Sequence, residues 1–446
     1  MTVYARALES LVLPMFDRLK RREYMKRRRL LEESQWWTAD RVREFQWSEL
    51  KRLLGHVFVS VPYLQEKYRA VGIAAASDIR SWADFRLLPP LTRDEVNAHR
   101  EELCSITYKG KLLPHATGGS SGVPTRFFRT YESYDWRTAA KDRVYCWSGW
   151  HVGERSVYLW GAPVGAVPRS QLWKVRLHET IQRQLVINTF TQSDDQWRRI
   201  HGAILKFKPA LVVGYVSSLE EFSSFLQRNQ LRVDSVRCVI GAAEPVFEAT
   251  RATIEAGFRA PMFNTYGSRE FMSVAGECEQ RNGLHVNAEN LVVETHDESI
   301  DAPSEILITD LHNYGMAFVR YGTGDLGTMM PGSCACGRGL PRIRSIEGRL
   351  LDALRTADGR KVPGEFFPHL LKDVPEFAQY RVEQLAVDYI EISAVLNATL
   401  SERSHQLLRS EIAKVFGPGT HWHIREVSNI PQLKSGKRRV TVGLEA

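Results

Sequence analysis

HATGGSSGVPT, residues 115–125, is the stretch on which the reading of this chain turns. Its core, Gly118, Gly119, Ser120, Ser121 and Gly122, admits three chemistries. G-x-S-x-G is the pattern of a hydrolase nucleophile turn, which needs a strand before the serine and a helix directly after it. Val123 precedes Pro124 and is biased toward an extended conformation, and the late base would have to be His421 or His423. A Gly/Ser run is also a common linker, but this one is short and lies between two apolar strand candidates, so it reads as a tight loop inside a domain. The third reading is a phosphate loop. Glycines let the backbone approach an anion, successive N–H groups form a concave donor set, and Thr117, Ser120, Ser121 and Thr125 add hydroxyls. G-x-x-x-x-G-K-[ST] is absent, so a lysine has to come from elsewhere. GTGDLG, residues 322–327, fits G-x-G-x-x-G but lacks the strand–turn–helix setting of a dinucleotide site.

Working outward, the chain has 446 residues, of which 43% are hydrophobic, enough for a large core and too many for a disordered polymer. The 60 basic and 52 acidic residues leave a net charge of +8, a mild excess that suits an anionic small molecule; no nucleic-acid partner is expected. No apolar run reaches the roughly 18 residues of a membrane span, and LVLPMF (residues 11–16) is short for a signal peptide. Six unevenly spaced cysteines suggest a reduced, cytoplasmic protein.

Residues 1–100 read as mainly helical. Leu8, Leu11, Met15 and Leu19 recur at helical steps, and the basic run KRREYMKRRRLLEE (residues 20–33) reads as a solvated helix face, with docking on an anionic membrane or RNA as the alternatives; Trp36 and Trp37 could anchor either one or pack in a helical-hairpin core. Beyond residue 110, strands alternate with helices. SVYLWG (156–161), ALVVGY (210–215), VRCVIGAAE (236–244) and PMFNTYG (261–267) are apolar runs ending in small residues, with helical stretches such as 218–229 between them. LVVET and SEILITDL (304–311) read as antiparallel strands that follow. The fold class is α/β: a large N-terminal domain of layered sheets and helices with a β-rich portion (1–351), then a small α+β C-terminal domain (352–446).

Four further stretches, YGSRE (266–270), RYGTGDLG (320–327), EGRLLD (347–352) and PQLKSGK (431–437), follow the loop. With it, they resemble in order and spacing the motifs of the adenylate-forming superfamily of acyl-CoA synthetases, adenylation domains and luciferases. ITDLHNYGMAFVRYGTGDLG and CACGRGLPRIRSIEGR resemble the phenylacetate–CoA ligase branch and its CapK-like relatives, over about residues 40–440. The resemblance implies an AMP-forming acid–thiol ligase that uses ATP, Mg²⁺ and coenzyme A. A carboxylate attacks the α-phosphorus of ATP, a step governed by positioning and charge neutralisation. It implies that the 117–125 loop holds phosphates, Glu270 binds Mg²⁺, and Asp325 accepts the ribose hydroxyls. It also implies that Tyr266 and Gly241, Ala242, Ala243, Glu244 and Pro245 enclose the adenine, with Gly267, Ser268 and Arg269 beside the nucleotide and Arg349 reaching it. Lys437 bridges carboxylate and α-phosphate, and Asp352 is the hinge on which the mobile C-terminal domain swings to admit the thiol. Arg269 departs from the usual Thr, Gly322 from a frequent Arg and Ala317 from a frequent Pro. CapK-like kinship points to polysaccharide or natural-product biosynthesis by family name.

Cys278, His285, Cys334 and Cys336 form C-x6-H and C-x-C in two Gly-rich turns, a set that could close a structural Zn²⁺ site. Trp160, Gly161, Ala162, Tyr215, Gly241 and Ala242 are candidates for an acyl pocket fitting an aryl or small acid, with plain core packing the alternative for the two aromatics. The acceptor is CoA, with a carrier-protein thiol or an amine as alternatives. A non-catalytic nucleotide-binding module is the competing class, weak membrane association of the basic N-terminal helix a further expectation, and the assembly is a monomer or homodimer.

Overall fold

The computed structural model describes residues 2–117, 125–160, 169–189, 193–297, 303–347, 354–359, 361, 362, 364, 366–371, 374–430 and 440–444. Two antiparallel strands, β1 (Leu113–Ala116) and β2 (Arg126–Arg129), flank the glycine loop. The strand β2 after the loop stands where a nucleophile turn requires a helix, so the hydrolase reading fails.

An eleven-stranded sheet dominates the fold. One half is parallel: β3 (Ser156–Trp160), β4 (Gln184–Asn188), β5 (Leu211–Tyr215), β6 (Cys238–Ala242) and β7 (Met262–Ser268). The other half is antiparallel: β8 (Met272–Glu277), β9 (Leu284–Val286), β10 (Leu291–Thr295), β11 (Ser304–Asp310), β12 (Tyr321–Met330) and β13 (Arg342–Glu347). The order across the sheet is β10-β11-β12-β13-β9-β8-β7-β6-β5-β3-β4. The parallel strands are continuous apolar runs because helices cover both faces, and every residue of β5 is buried. Val157, Val212 and Val239 pack under the helices Asp194–Phe207, Val216–Arg228 and Glu248–Phe258. On the other face, Val213 and Ile240 meet Trp136 and Ala140 of the helix Tyr131–Cys146.

β14 (Leu354–Arg355) pairs with β15 (Lys361–Val362), and β16 (Phe377–Ala386), β17 (Tyr389–Leu396), β18 (His421–Glu426) and β19 (Thr441–Val442) make a second sheet in the order β18-β17-β16-β19. Its core of Phe366, Phe367, Ile390, Leu408 and Phe416 also takes in Tyr215 at the end of β5. GTGDLG lies wholly inside β12, which removes the dinucleotide reading.

The N-terminal expectations need two corrections. The helical run Val3–Ala7, Leu8–Val12 and Leu13–Lys20 buries Ala5, Leu8, Leu13 and Asp17, while Leu11, Met15 and Leu19 face solvent. Its Leu8–Val12 segment is a π-turn just before Pro14, whose missing N–H and bulky ring disfavour regular α-helix there. The basic run is a solvated face in part: Lys20, Arg21, Lys26 and Arg29 are exposed, but three of its arginines turn to partners. Arg22 pairs with Asp135 at 2.5 Å, Arg28 with Glu9 at 2.7 Å, and Arg27 with Glu132 at 3.2 Å, so these arginines clamp the helix Tyr24–Ser34 to the body. Trp37 meets Phe45 edge-on inside the helical core, while Trp36 lies under Arg338 and stays about half exposed.

Candidate functional site

The glycine loop is closed at its base by two contacts. Thr117 N donates to Thr125 O at 2.9 Å, and Thr125 N donates to Thr117 Oγ1 at 2.8 Å. Thr125 is fully buried and its own Oγ1 has no hydrogen-bond partner among the described residues, an orphan donor at the root of the loop. Gly118, Gly119, Ser120, Ser121 and Gly122 lie outside the described residues, as do Gly161, Ala162, Arg349, Asp352 and Lys437.

β7 and β12 supply the opposite wall. β7 ends in a bulge at Tyr266 and Gly267, where the Met272 carbonyl lies so close that a Cβ on residue 267 would collide with it. Ser268 Oγ caps the turn by accepting from Phe271 N at 3.3 Å. Tyr266 Oη donates to Asp325 Oδ2 at 2.9 Å, uniting two residues 59 apart in the chain. Glu270, buried in the turn after β7, accepts from Tyr321 Oη at 3.2 Å. Tyr266 with Asp325 and Glu270 with Tyr321 make this corner, and Arg269 beside Glu270 shares a cleft with His115 and Ala116 of β1, the strand that leads to Thr117.

Arg93 is a residue of this corner that no motif announced. Its Nε donates to Tyr321 Oη at 3.4 Å and its Nη2 to the Thr323 carbonyl at 3.4 Å. Burial works against its charge, yet Tyr321, Glu270 and Asp325 hold its pKa above the ordinary value. It arrives through an isolated parallel bridge between Leu91 and Tyr321, with Leu91 N on Arg320 O at 3.0 Å and Gly322 N on Leu91 O at 2.9 Å. The short helix Arg93–Ala98 then starts from a Thr92–Glu95 capping box.

Arg269 points into an open cleft of about 400 Å³ with Arg100, His115, Arg126 and Phe128, at the foot of β1 and β2. Burial, then the nearby Arg129, Arg137 and Arg269, push His115 down to about 4, so it is neutral near pH 7. No carboxylate lines this cleft among the described residues.

The remaining nucleotide and acyl candidates are structurally committed. Glu244 accepts from Ser217 N at 2.6 Å and Ser217 Oγ at 3.0 Å, fixing the turn of Ala242, Ala243 and Pro245 on the start of the helix Val216–Arg228; Ala243 has φ +69°. Gly241, inside β6, accepts from Thr265 Oγ1 at 2.9 Å. Trp160 and Tyr215 stack at 4.4 Å, and both pack on the C-terminal hydrophobic core.

The cysteine cluster lies at the ends of antiparallel strands inside the sheet. Cys278 follows β8, His285 sits in β9, and Cys334 and Cys336 occupy the loop between β12 and β13. Pairing of Arg342 with His285 across β13 and β9 brings the two turns together. Arg342 then donates to the carbonyls of Asn282, Gly332 and Ser333 at 2.9–3.2 Å, locking both. The four ligand atoms lie within 4.8 Å of one another, with Cys278 Sγ to Cys334 Sγ at 3.9 Å and Cys336 Sγ to His285 Nε2 at 3.4 Å. A tetrahedral Zn²⁺ with Zn–S of about 2.3 Å and Zn–N of about 2.0 Å requires edges of roughly 3.5–3.8 Å, so this donor set fits the ion. Burial, then Arg338, hold His285 neutral at about 4, and burial raises Cys278 to about 12 with no ion present. Arg338 links the cluster to the N-terminal helices through Gln35 Oε1 at 3.0 Å and to Glu279 at 2.8 Å, stacked over Trp36 and Trp147.

No family model matches the chain. In fold it is similar to 2-hydroxyisobutyryl-CoA ligase in complex with 2-HIB-AMP and CoA, with a TM-score of 0.61, 17% identity, and 92% of this chain and 91% of that one covered. The fold is therefore that of the adenylate-forming CoA ligases. In sequence it is 24% identical to the phenylacetate–coenzyme A ligase of Escherichia coli (strain K12), over 90% of this chain and 95% of that protein. It is 23% identical to protein CapK of Staphylococcus aureus, over 81% of this chain and 80% of that protein. Within the adenylate-forming fold, the chain is phenylacetate–CoA ligase-like and CapK-like.

Proposed function

We propose that this chain is an AMP-forming acid–thiol ligase. It joins a carboxylic acid to the α-phosphate of ATP with release of pyrophosphate. The thiol of coenzyme A then attacks the acyl carbon of the acyl-AMP and AMP leaves. The observation that carries this reading is the corner where Tyr266, Asp325, Glu270, Tyr321 and Arg93 meet across the sheet from the Thr117–Thr125 gate. Kinship with phenylacetate–CoA ligases along nine-tenths of the chain supports it.

In this reading the orphan Thr125 hydroxyl and the glycine loop hold phosphate oxygens, and Asp325, oriented by Tyr266, accepts ribose hydroxyls. Glu270 offers the hard oxygen that Mg²⁺ favours, and the ion would neutralise phosphate charge. Arg93 fixes the Tyr321 hydroxyl and, through it, the carboxylate of Glu270. Lys437 is assigned the charge that offsets two repelling anions in the adenylation step, and Asp352 the hinge between a large domain, 1–351, and a small one, 352–446. The four-residue Cys/His set is assigned a structural Zn²⁺, supported by its donor geometry. Six free cysteines favour a cytoplasmic location. No described helix is long and apolar enough to cross a membrane.

The test incubates the protein with ATP, Mg²⁺ and CoA across a panel of aryl, hydroxy and amino acids, with mass spectrometry of all products. Acyl-CoA and AMP in equal amounts from one class of acid is the expected result. AMP formation without thioester would move the acceptor to a carrier thiol or an amine. ADP as product, or nucleotide binding with no turnover for any acid, would contradict the ligase.

A further inference from the structure

The outer face of the N-terminal helices is exposed among the described residues and has a one-sided chemistry. From Val3 to Lys20 the helical run exposes Leu11 (69%), Met15 (57%), Phe16 (49%) and Leu19 (72%), with Val12 beside them. These positions recur at three-, four- and five-residue steps, so they form one stripe. The buried side of the run, Ala5, Leu8, Leu13 and Asp17, is what attaches it to the body.

The charges of this segment are sorted as sharply as its apolar groups. Arg6, Arg18, Lys20 and the helix-ending Arg21 are all exposed. The only acidic residues between 2 and 21 are Glu9 and Asp17, and both are spent inward. Glu9 pairs with Arg28 at 2.7 Å, and Asp17 accepts from Met25 N at 2.8 Å. The solvent face therefore carries apolar groups and cations with no exposed carboxylate of its own. A further set of exposed apolar residues, Val175 and Leu177, belongs to the helix Arg169–Gln182. The end of that helix touches the run where Tyr4 Oη donates to Ile181 O at 2.8 Å and Arg183 stacks on the Tyr4 ring.

We propose that this face is an interfacial anchor that docks on an anionic lipid bilayer. An amphipathic helix with an apolar stripe and a cationic border lies in the plane of the headgroups, its side chains entering the acyl boundary while the cations meet lipid phosphate. A second copy of the chain fits the face less well, since two such faces would bring Arg18, Lys20 and Arg21 against their own kind. The basic run at residues 22–28 is not the docking element, because Arg22, Arg27 and Arg28 are consumed in internal ion pairs.

The experiment is vesicle co-sedimentation of the full chain, using phosphatidylcholine alone and phosphatidylcholine mixed with phosphatidylglycerol. Sedimentation velocity without lipid runs alongside. The account predicts binding to the anionic vesicles only, reduced by about tenfold or more in Leu11→Ser/Met15→Ser/Leu19→Ser and separately in Arg18→Glu/Lys20→Glu. Both variants alter exposed positions and should keep wild-type thermal stability and thioester formation. Absence of binding to either vesicle overturns the proposal. A dimer in the lipid-free sample that the serine variant dissolves also overturns it, and makes the face an interface between copies.

Discussion

Two regions of the molecule, one at the cysteine cluster and one at the corner of β7 and β12, obey opposite rules. At the cysteine cluster the surrounding turns are locked, although His285 Nδ1 is itself buried with no hydrogen-bond partner among the described residues. Four ligand atoms converge within 4.8 Å, and Arg342 and Arg338 tie the surrounding turns to carbonyls, Glu279 and Gln35. At the proposed nucleotide corner the groups are oriented by contacts such as Tyr266 on Asp325 and Tyr321 on Glu270, and the buried Thr125 hydroxyl has no hydrogen-bond partner among the described residues. A staple gains stability by completing its bonds. A binding site must keep polar groups in hand for its ligand, at some cost to the empty protein.

This contrast predicts that changes at one site move stability and changes at the other move rate. The largest effect should come from Cys334→Ser/Cys336→Ser. It removes two of the four candidate ligands, so if the set holds zinc as proposed, the metal measured by elemental analysis should fall from one per chain to none. Stability should drop by several kcal/mol in denaturant melts. Retention of full stability would mean that the cluster is four packed side chains and no staple.

Glu270→Gln tests the other side. Adenylation should fall roughly 10²- to 10³-fold while the melting temperature stays close to wild type. A large loss of stability at unchanged rate would reverse the comparison. Arg93→Lys keeps the charge but loses the planar fork that reaches both Tyr321 and Thr323. About a tenfold loss in kcat/KM for ATP is expected from steady-state kinetics, and no change would remove Arg93 from the corner.

How much of this was legible in the chain follows from what each contact depends on. The parallel strands β3, β5, β6 and β7 were readable because strands buried on both faces are written as apolar runs with small residues at their ends. β4 was not, since this edge strand alternates Leu185 and Ile187 with polar neighbours and one exposed Val186. Tyr266, Glu270, Asp325 and the four Cys/His candidates could be singled out because each sits in a motif. Arg93 was missed because its role depends on a single bridge between Leu91 and Tyr321, 230 residues away, which local pattern does not encode. The helical period of Leu8, Leu11, Met15 and Leu19 was visible, but which face turns inward was decided by distant partners of Asp17 and Glu9. The ion pairs of Arg22 and Arg28 were hidden for the same reason: composition shows a charge and not its partner.

The smallest effect sharpens the positioning of Arg93. Burial would raise the Glu95 carboxyl, but Lys67, Tyr63 and the Thr92 cap hold it down to about 2, below its ordinary 4.5. A depressed pKa gives stability that is complete above the ordinary glutamate range and fades as pH falls toward 2. Glu95→Gln should therefore cost about 1 kcal/mol near neutrality and flatten the acid limb of the stability curve. An unchanged acid limb would show that the cap does not hold this helix.

The most direct test of the account is carboxylate-dependent exchange of labelled pyrophosphate into ATP, run on the wild-type chain and on Lys437→Ala with the acid that the product screen identifies. The account predicts robust exchange in the wild type and a fall of about 10²-fold or more in the variant, with ATP binding little changed. Equal exchange in both proteins would contradict the assignment of Lys437, and no exchange in either would contradict adenylation itself.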